Sequence, residues 1–231
     1  MKKSNKLLLG GLLTLILLIV AMHIALYAKY KNGDYTIYHP EDELADIMKP
    51  FPGVSFVTLL NVYAVNVRFG DKAEVEKGEE DVIQAVQKGD TLIITGQEYS
   101  DVLEARRPVN ITLPPGVTLS AFNSSLRIEK GKQAVGGNPV IYLQKSHAVF
   151  LDNGNPLRLG QVKLIASDSS VAAFLGNTWV DYLDAQLSNS ILEYNEGDAG
   201  GLSIVTDSVS RISLQSKHLL KAKITTIPTT P

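Results

Sequence analysis

The pattern of apolar and polar residues changes character twice along the chain. Residues 7–28 form one apolar run with no formal charge, and residues 29–53 are mostly polar. From Val54 onward, short apolar stretches alternate with polar residues at a period near two, which predicts β-strands. The pattern predicts a cytoplasmic tip and transmembrane anchor at 1–28, a linker and short helix at 29–53, a β-solenoid at 54–224, and a Thr/Pro-rich tail at 225–231.

The apolar run is long enough to cross a membrane. Its 22 residues, Leu7 to Ala28, would span about 33 Å as a helix, against a hydrocarbon core of about 30 Å. Three lysines in the first six residues favour a cytoplasmic N-terminus. Tyr27 and Tyr30 stand where an aromatic belt would meet the far membrane interface. We therefore expect a single-pass protein that uses residues 7–28 to contact the lipid bilayer.

A cleaved signal peptide is the alternative for this segment. Its apolar region would usually cover about 7–15 residues and end in a small-x-small cleavage site. Here the run is longer, and cleavage after Ala28 would put Leu26 at the third position before the cut. The uncleaved anchor is therefore favoured. In both cases the rest of the chain is expected outside the cytoplasm, in the periplasm of a Gram-negative cell.

Short polar segments recur at a fixed interval in the second half of the chain. Ser170, Ser190 and Ser210 are spaced by 20 residues, and each lies between two apolar stretches. Ten short strands follow Gly116 in two alternating sets, with successive members of a set 18 to 23 residues apart. The first set begins at Val117, Val140, Val162, Val180 and Leu202, and the second at Leu126, Val149, Val171, Ile191 and Ile212.

A period of about 20 residues is typical of stacked repeats. The fold class we predict is all-β, a right-handed parallel β-solenoid with two-sheet coils of about 20 residues, because Ser, Asn and Asp can turn the chain between two sheets. A β-sandwich is the alternative, since it also contains many short strands. In the solenoid, Ser190 would lie at a turn with its side chain outside the core. The core of the coils would contain Leu164, Val171, Ile191, Ile204 and Ile212.

The first half of the β-region resembles a known family. The stretch from Val54 to Thr95 is similar to the opening of the GIN domain, a head domain of Bacteroidetes-type envelope proteins named as autotransporter adhesins. The segment "VNITLPPGVTLSAFNSSLRIEKG" is similar to the phrase that introduces the coils of that family. The positions that match the family pattern are Val65, Gly70, Val75, Gly78, Val86, Gly89, Leu92 and Ile94.

The resemblance covers residues 54–224 and implies a β-solenoid in a bacterial cell envelope, with an adhesin-like role and no active site to carry over. The sequence departs from the family at the turns between coils. Asp168, Asn189 and the pair at 207–208 stand where the family has a turn glycine.

Composition argues against several kinds of function. The chain has no cysteine and four histidines without metal-ligand spacing, so we expect no metal site and no cofactor. The net charge is −2, and beyond residue 28 there are 19 basic against 24 acidic residues. Without a basic patch, nucleic acid is not an expected partner.

A few residues are candidates for sugar chemistry. Asp181 with Asp184, or Asp198 with Glu193 and Glu196, could form a carboxylate pair, although we expect them to be solvated. Trp179 could stack on a sugar, but we expect it to pack in the core. Ser146-His147 lacks the G-x-S-x-G context of a nucleophile.

The sequence therefore predicts no catalytic residues and no enzyme. It indicates a membrane-anchored extracytoplasmic solenoid that acts as an envelope scaffold or as an adhesion or binding module for an envelope protein or polysaccharide. A carbohydrate-active enzyme or polysaccharide-binding protein on a β-helix is the alternative.

Overall fold

The computed structural model describes residues 3–31, 48–76, 83–96, 108–131 and 137–228, and the chain divides into two units, 1–43 and 44–231. The first unit contains helix α1, Lys3–Lys31. Its apolar stretch Gly10–Lys29 is long enough to span a membrane and buries none of its surface against protein. An unpartnered helix that is apolar on all sides suits lipid better than water. A signal sequence would have the same features.

The second unit is a stack of strands in two sheets, with a short helix α2, Ser216–Leu219, near its end. In spatial order, sheet I contains β1 (Met48–Phe51), β4 (Ala73–Glu76), β7 (Val109–Leu113), β3 (Val65–Phe69), β9 (Ser125–Glu129), β11 (His147–Phe150), β13 (Val171–Phe174), β15 (Ile191–Tyr194) and β17 (Arg211–Leu214). Sheet II contains β18 (Ala222–Thr226), β16 (Asp198–Thr206), β14 (Thr178–Ser188), β12 (Leu157–Ser167), β10 (Val140–Gln144), β8 (Thr118–Phe122), β2 (Phe56–Leu60), β6 (Thr91–Gly96) and β5 (Ile83–Lys88).

From β8 onward the chain alternates between the sheets, and each strand pairs in parallel with its counterpart in the next coil. Ile141, for example, pairs with Leu119 on one side and Leu164 on the other. The β-solenoid is therefore confirmed, and all ten strands expected after Gly116 are present. The β-sandwich is wrong, since sandwich sheets are antiparallel whereas these sheets are parallel after the first coils.

The first coils do not stack in sequence order. Strand β2 lies between β6 and β8, and β3 lies between β7 and β9. The coil β2–β3 is thus inserted between two coils that follow it in the chain. An ion pair supports this junction in sheet I, where Arg68 Nη2 lies 3.2 Å from Oε2 of the buried Glu129.

Antiparallel strands close this end of the stack. Strand β5 runs antiparallel to β6, and β4 pairs antiparallel with both β1 and β7. The short helix expected within residues 29–53 does not include Met48–Phe51, because these residues form strand β1, paired with Ala73–Glu76. Phe51 is buried against the core and stabilises a strand here. The remainder of the expected helix lies outside the described residues.

The core lies between the two sheets, and its rows run along the stack. One row of sheet II is buried from β2 to β16, because equivalent residues pair in register. Leu164 and Ile204 belong to it, and both are fully buried. The complete row from the inserted coil to β16 is Val57, Leu119, Ile141, Leu164, Ala185 and Ile204.

In sheet I the expected phase of two strands is wrong. Val171 and Ile191 are only half-buried and pair with each other and with the exposed Arg211, so they form an outer row. Their neighbours Ala172 and Leu192 are fully buried instead. Ile212 pairs with Leu192 and packs against the core.

The cause of this phase is the serine that precedes each strand of sheet I from β9 to β17. Ser190 was expected outside the core, yet its exposed fraction is 2%. Since side chains alternate along an extended chain, an inward serine turns the next residue outward. In four of the five cases the residue before the serine has a positive φ, which turns the chain from sheet II into sheet I: Asn123, Lys145, Ser169 and Asn189.

These serines form a ladder along the corner of the stack. The Oγ of Ser146 accepts a hydrogen bond from the backbone N–H of Ser124 at 3.1 Å, and Ser170 Oγ does the same for Ser146 at 3.2 Å. Ser210 Oγ accepts from the N–H of Ser190 at 3.0 Å. The recurring small polar residues thus satisfy buried backbone donors that the sheets leave unpaired.

A column of rings fills the last coils between the sheets. Phe150 and Phe174 stack with centroids 4.1 Å apart, and Phe174 and Tyr194 with centroids 4.6 Å apart. His218 on α2 completes the column with its ring edge-on to Tyr194, at 4.7 Å. The short helix therefore covers the C-terminal end of this column with a fully buried histidine.

Candidate functional site

The outer surfaces of the two sheets differ in their aromatic content. Sheet II carries five outward aromatic side chains with exposed fractions between 37% and 46%, whereas no described strand of sheet I exposes a Phe, Tyr or Trp. We call the outer surface of sheet II that carries these five residues the aromatic face. They are Phe56, Phe122, Tyr142, Trp179 and Tyr182.

Strand β14 contains the densest part of this face. Burial alternates along the strand until residues 181 and 182, which are both exposed. This interruption leaves Trp179, Asp181 and Tyr182 all exposed within four residues of one strand. The strand is held in place from beneath, since Val180 and Leu183 are fully buried.

Two contacts fix the rings on β14. The indole Nε1 of Trp179 donates a hydrogen bond to Asp181 Oδ1 at 2.8 Å. The ring of Tyr182 lies over Gly201 in the next coil, where an added Cβ would come within 2.9 Å of the ring's Cδ2. Glycine at this position therefore makes room for the tyrosine ring, and both aromatic side chains keep defined positions.

Neighbouring coils place polar groups beside these rings. Trp179 is paired with Arg158 in the preceding coil and with Asp198 in the following coil. Tyr182 is paired with Gln161, and both Arg158 and Gln161 are exposed. We call the group Arg158, Gln161, Trp179, Asp181 and Tyr182 the platform.

The carboxylate of Asp198 is already engaged. Its Oδ1 lies 3.2 Å from Lys221 Nζ, and the side-chain hydrogen bond from Lys221 lowers the pKa of Asp198, helped by the backbone N–H of Ala199. Asp198 and Lys221 therefore form an ion pair without net charge at the edge of the platform.

The structure does not bring the candidate carboxylates together as a set. The Asp181 carboxylate accepts a hydrogen bond from the indole of Trp179. In the strand register, Asp184 lies opposite Lys163 of one neighbouring coil and Ser203 of the other. Glu193 lies on sheet I, apart from Asp198 on sheet II. Among the residues that the structure describes, no three His, Asp or Glu side chains are grouped as metal ligands.

Three other sequence-based expectations concern single residues. Core packing of Trp179 is wrong, because its side chain is 40% exposed. Ser146 belongs to the corner ladder, while His147 beside it is exposed on β11. Tyr27 is an exposed residue of α1, and the side chain of Tyr30 lies outside the described part of the chain. Their place at a membrane interface stays a prediction.

Sequence reasoning missed the aromatic face as a whole. Tyr142 lies between the buried Ile141 and Leu143, so alternation alone assigns it to the outer surface. What the sequence does not show is that five such residues share one sheet. That requires the pairing of strands that are up to about 130 residues apart in the chain.

Comparison with known proteins gives one solved structure to report. A crystal structure from Bacteroides fragilis NCTC 9343, described as a "putative adhesin", is 15% identical to this chain. The match covers 78% of this chain and 94% of the other, with a TM-score of 0.33. No family model and no curated protein matches the chain. GIN-domain membership therefore stays a prediction.

Proposed function

We propose that this protein is a membrane-anchored envelope protein whose solenoid is an extracytoplasmic binding or adhesion module. The helix α1 supports the anchor, since its 20-residue stretch Gly10–Lys29 is apolar enough to span a membrane and lysines precede it. The positive charge before the helix favours a cytoplasmic N-terminus, which would place the solenoid on the other side of the membrane.

The observation that carries the binding role is the aromatic face. Scattered exposed apolar residues are ordinary, but a group on one surface marks an interaction site. Tyr and Trp are enriched at binding surfaces because they combine a large apolar area with a polar group and few rotatable bonds. The described strands of sheet I expose no aromatic side chain, so the exposed aromatic residues distinguish sheet II from sheet I.

The solenoid supports this role by holding the side chains at regular intervals. Successive coils are separated by about 4.8 Å in the hydrogen-bonding direction, and each outer side chain is fixed to the pleat of its strand. A ligand that extends along the stack could therefore contact several coils without a rearrangement. This arrangement also fits the role of an envelope scaffold.

Within this proposal the chain is a GIN-type domain without catalytic activity. Glycoside hydrolysis needs two carboxyl groups in distinct protonation states on either side of a bond. On the platform, Asp181 is bound to an indole N–H, and Lys221 favours the ionised form of Asp198. The geometry suits binding better than acid–base chemistry.

The test uses the full chain in nanodiscs and measures its adherence to bacterial envelope fragments. A Tyr142→Ser/Tyr182→Ser double variant should lose most of its adherence, because it removes two rings from the aromatic face. The matched control is His147→Ser/Arg211→Ser, which changes two exposed residues of sheet I and should adhere like wild type. Equal adherence of all three proteins would refute the proposed face.

A further inference from the structure

The geometry of the platform points to a carbohydrate ligand, and we propose that it binds an uncharged polysaccharide chain. This inference rests on the proposed binding function and specifies its ligand. Trp179 and Tyr182 would supply apolar ring surfaces for sugar rings, and Asp181, Arg158 and Gln161 would supply hydrogen bonds to hydroxyl groups.

Sugars combine two kinds of surface, and the platform has a counterpart for each. The face of a pyranose presents C–H groups with a small positive charge, which suit the negative face of an aromatic ring. Its edge presents hydroxyl groups that both donate and accept hydrogen bonds. The Asp181 carboxylate accepts, the Arg158 guanidinium donates, and the Gln161 amide does both.

The rings are placed for contact with more than one sugar unit. Trp179 and Tyr182 are three residues apart on an extended strand, which separates their backbones by about 10 Å. The next coil has Gly200 and Gly201 beside Asp181 and Tyr182, so no side chain of that coil rises next to them. A chain-like ligand can therefore lie across the strand without a steric barrier on that side.

The platform is also organised before any ligand binds. The hydrogen bond between Trp179 and Asp181 fixes the indole, and Gly201 fixes the tyrosine ring from below. The second oxygen of Asp181, Oδ2, makes no hydrogen bond with any other described residue. Binding costs less conformational entropy, and affinity is higher, when the protein groups that contact the ligand are already ordered.

The charges favour a neutral ligand. Arg158 and Asp181 carry opposite single charges, and Asp198 is neutralised by Lys221. An anionic polymer would meet the Asp181 carboxylate, and a cationic one would meet Arg158.

The chain contains a single tryptophan, which gives the site its own spectroscopic signal. The experiment titrates the full chain in nanodiscs with soluble neutral polysaccharides that cover glucan, mannan, galactan and xylan backbones, with alginate as the anionic comparison. At least one neutral polymer should shift the Trp179 emission to shorter wavelength in a saturable manner, because stacking removes water from the indole. Alginate should cause no shift.

Three variants test whether the emission shift of Trp179 comes from binding at the platform. Tyr182→Ala keeps the reporter and should weaken binding of the neutral polymer by about tenfold, the scale of one lost ring contact. Tyr182→Phe should bind like wild type, since it keeps the ring. His147→Ala on sheet I should also bind like wild type. Circular dichroism melts would show that the variants remain folded.

The outcomes separate this inference from the proposed function. If no neutral polysaccharide shifts Trp179, or if Tyr182→Ala binds as tightly as wild type, the glycan assignment is wrong. In that case a loss of envelope adherence in the Tyr142→Ser/Tyr182→Ser variant would still support a binding face, with a protein as its partner. If that variant adheres normally while the polymer shifts Trp179, the glycan site stands and the broader adhesion surface is wrong.

Discussion

A serine of the corner ladder such as Ser124, Ser146 or Ser170 makes two kinds of hydrogen bond with one side chain. Its hydroxyl group donates to a nearby carbonyl, as Ser146 does to Gln144 at 2.8 Å, and its oxygen accepts from the previous coil. The side chain is small enough to repeat at the same place in every coil. These demands explain why an inward polar residue recurs where the apolar pattern suggests a surface turn.

A pair of adjacent substitutions tests the phase that the serines impose. Leu192→Asp would place a carboxylate at a fully buried position and should cost several kcal/mol, comparable to the whole stability of about 5–15 kcal/mol. Ile191→Asp introduces the same group at a half-buried outer position and should cost much less. Thermal melts would decide. A larger loss for Ile191→Asp would contradict the register described here.

The ladder itself is tested by Ser146→Ala. This change leaves the buried N–H of Ser124 without its acceptor and should lower the free energy of unfolding by about 1–3 kcal/mol. Ser125→Ala is the control, because Ser125 faces outward, and it should change stability by less than about 0.5 kcal/mol. Urea unfolding measures both values. Equal effects would mean that the hydroxyl is not needed.

Among the elements, helix α2 combines a structural role with sensitivity to acid. It buries His218 against Tyr194, and neither ring nitrogen of His218 has a hydrogen-bond partner among the described residues. Burial lowers the pKa of His218, and Lys217 and Lys221 add to this effect, while the charge of Asp198 opposes it. The folded state therefore favours the neutral ring of His218, and the ring takes up a proton more readily when the chain unfolds.

The sign of the pH effect follows from this pKa. An unfolded histidine has a pKa of about 6.5, so below that pH the unfolded chain binds more protons than the folded one and stability falls as the pH falls. We expect the melting temperature to decrease between pH 7 and pH 5. His218→Phe should reduce this decrease, because it removes the group that takes up the proton. An unchanged slope in His218→Phe would exclude His218 as its source.

The strands show how much of the fold could be predicted from sequence. The 20-residue period identified ten of the eleven described strands after Gly116 and missed β18, because only the repeated apolar stretches report the repeat directly. It did not identify the phase in sheet I, since Ser170 and Ser190 resemble surface turn residues until their hydrogen bonds are known. The exposure of Trp179 was missed because alternation breaks at residues 181 and 182, where two successive side chains face outward.

For the whole molecule, the inserted coil makes a prediction about local stability. Strands β2 and β3 have neighbours on both sides, whereas β5 and β18 lie at the edges of sheet II. Amide hydrogens of residues 56–69 should therefore exchange as slowly as those of residues 140–150 in the middle of the stack. Residues 83–88 and 222–226 should exchange faster. Hydrogen-exchange mass spectrometry would measure these rates. Fast exchange of residues 56–69 would contradict the inserted coil.

No feature of the sequence predicts this insertion. Val57 and Leu59 are apolar residues of an ordinary alternating strand, and nothing in them distinguishes β6 or β8 as a neighbour. At this end of the stack, β4 pairs antiparallel with β7 and β5 pairs antiparallel with β6. Strands β6 and β7 form the coil that lies outside the β2–β3 coil. Such pairings are a property of the assembled sheets.

The inserted coil also determines when a growing chain can complete its fold. Strand β2 has both of its neighbours only after Thr118 has been synthesised, 62 residues after its partner Phe56. During synthesis the earliest strands to leave the ribosome thus have an open hydrogen-bonding edge until β8 and β9 have emerged. Closing so long a segment slows folding, because its entropy is lost before the contact forms. The first coil to be translated is finished only after two later coils have been made, and a chain that stalls before residue 118 exposes the edge of β2 to other chains.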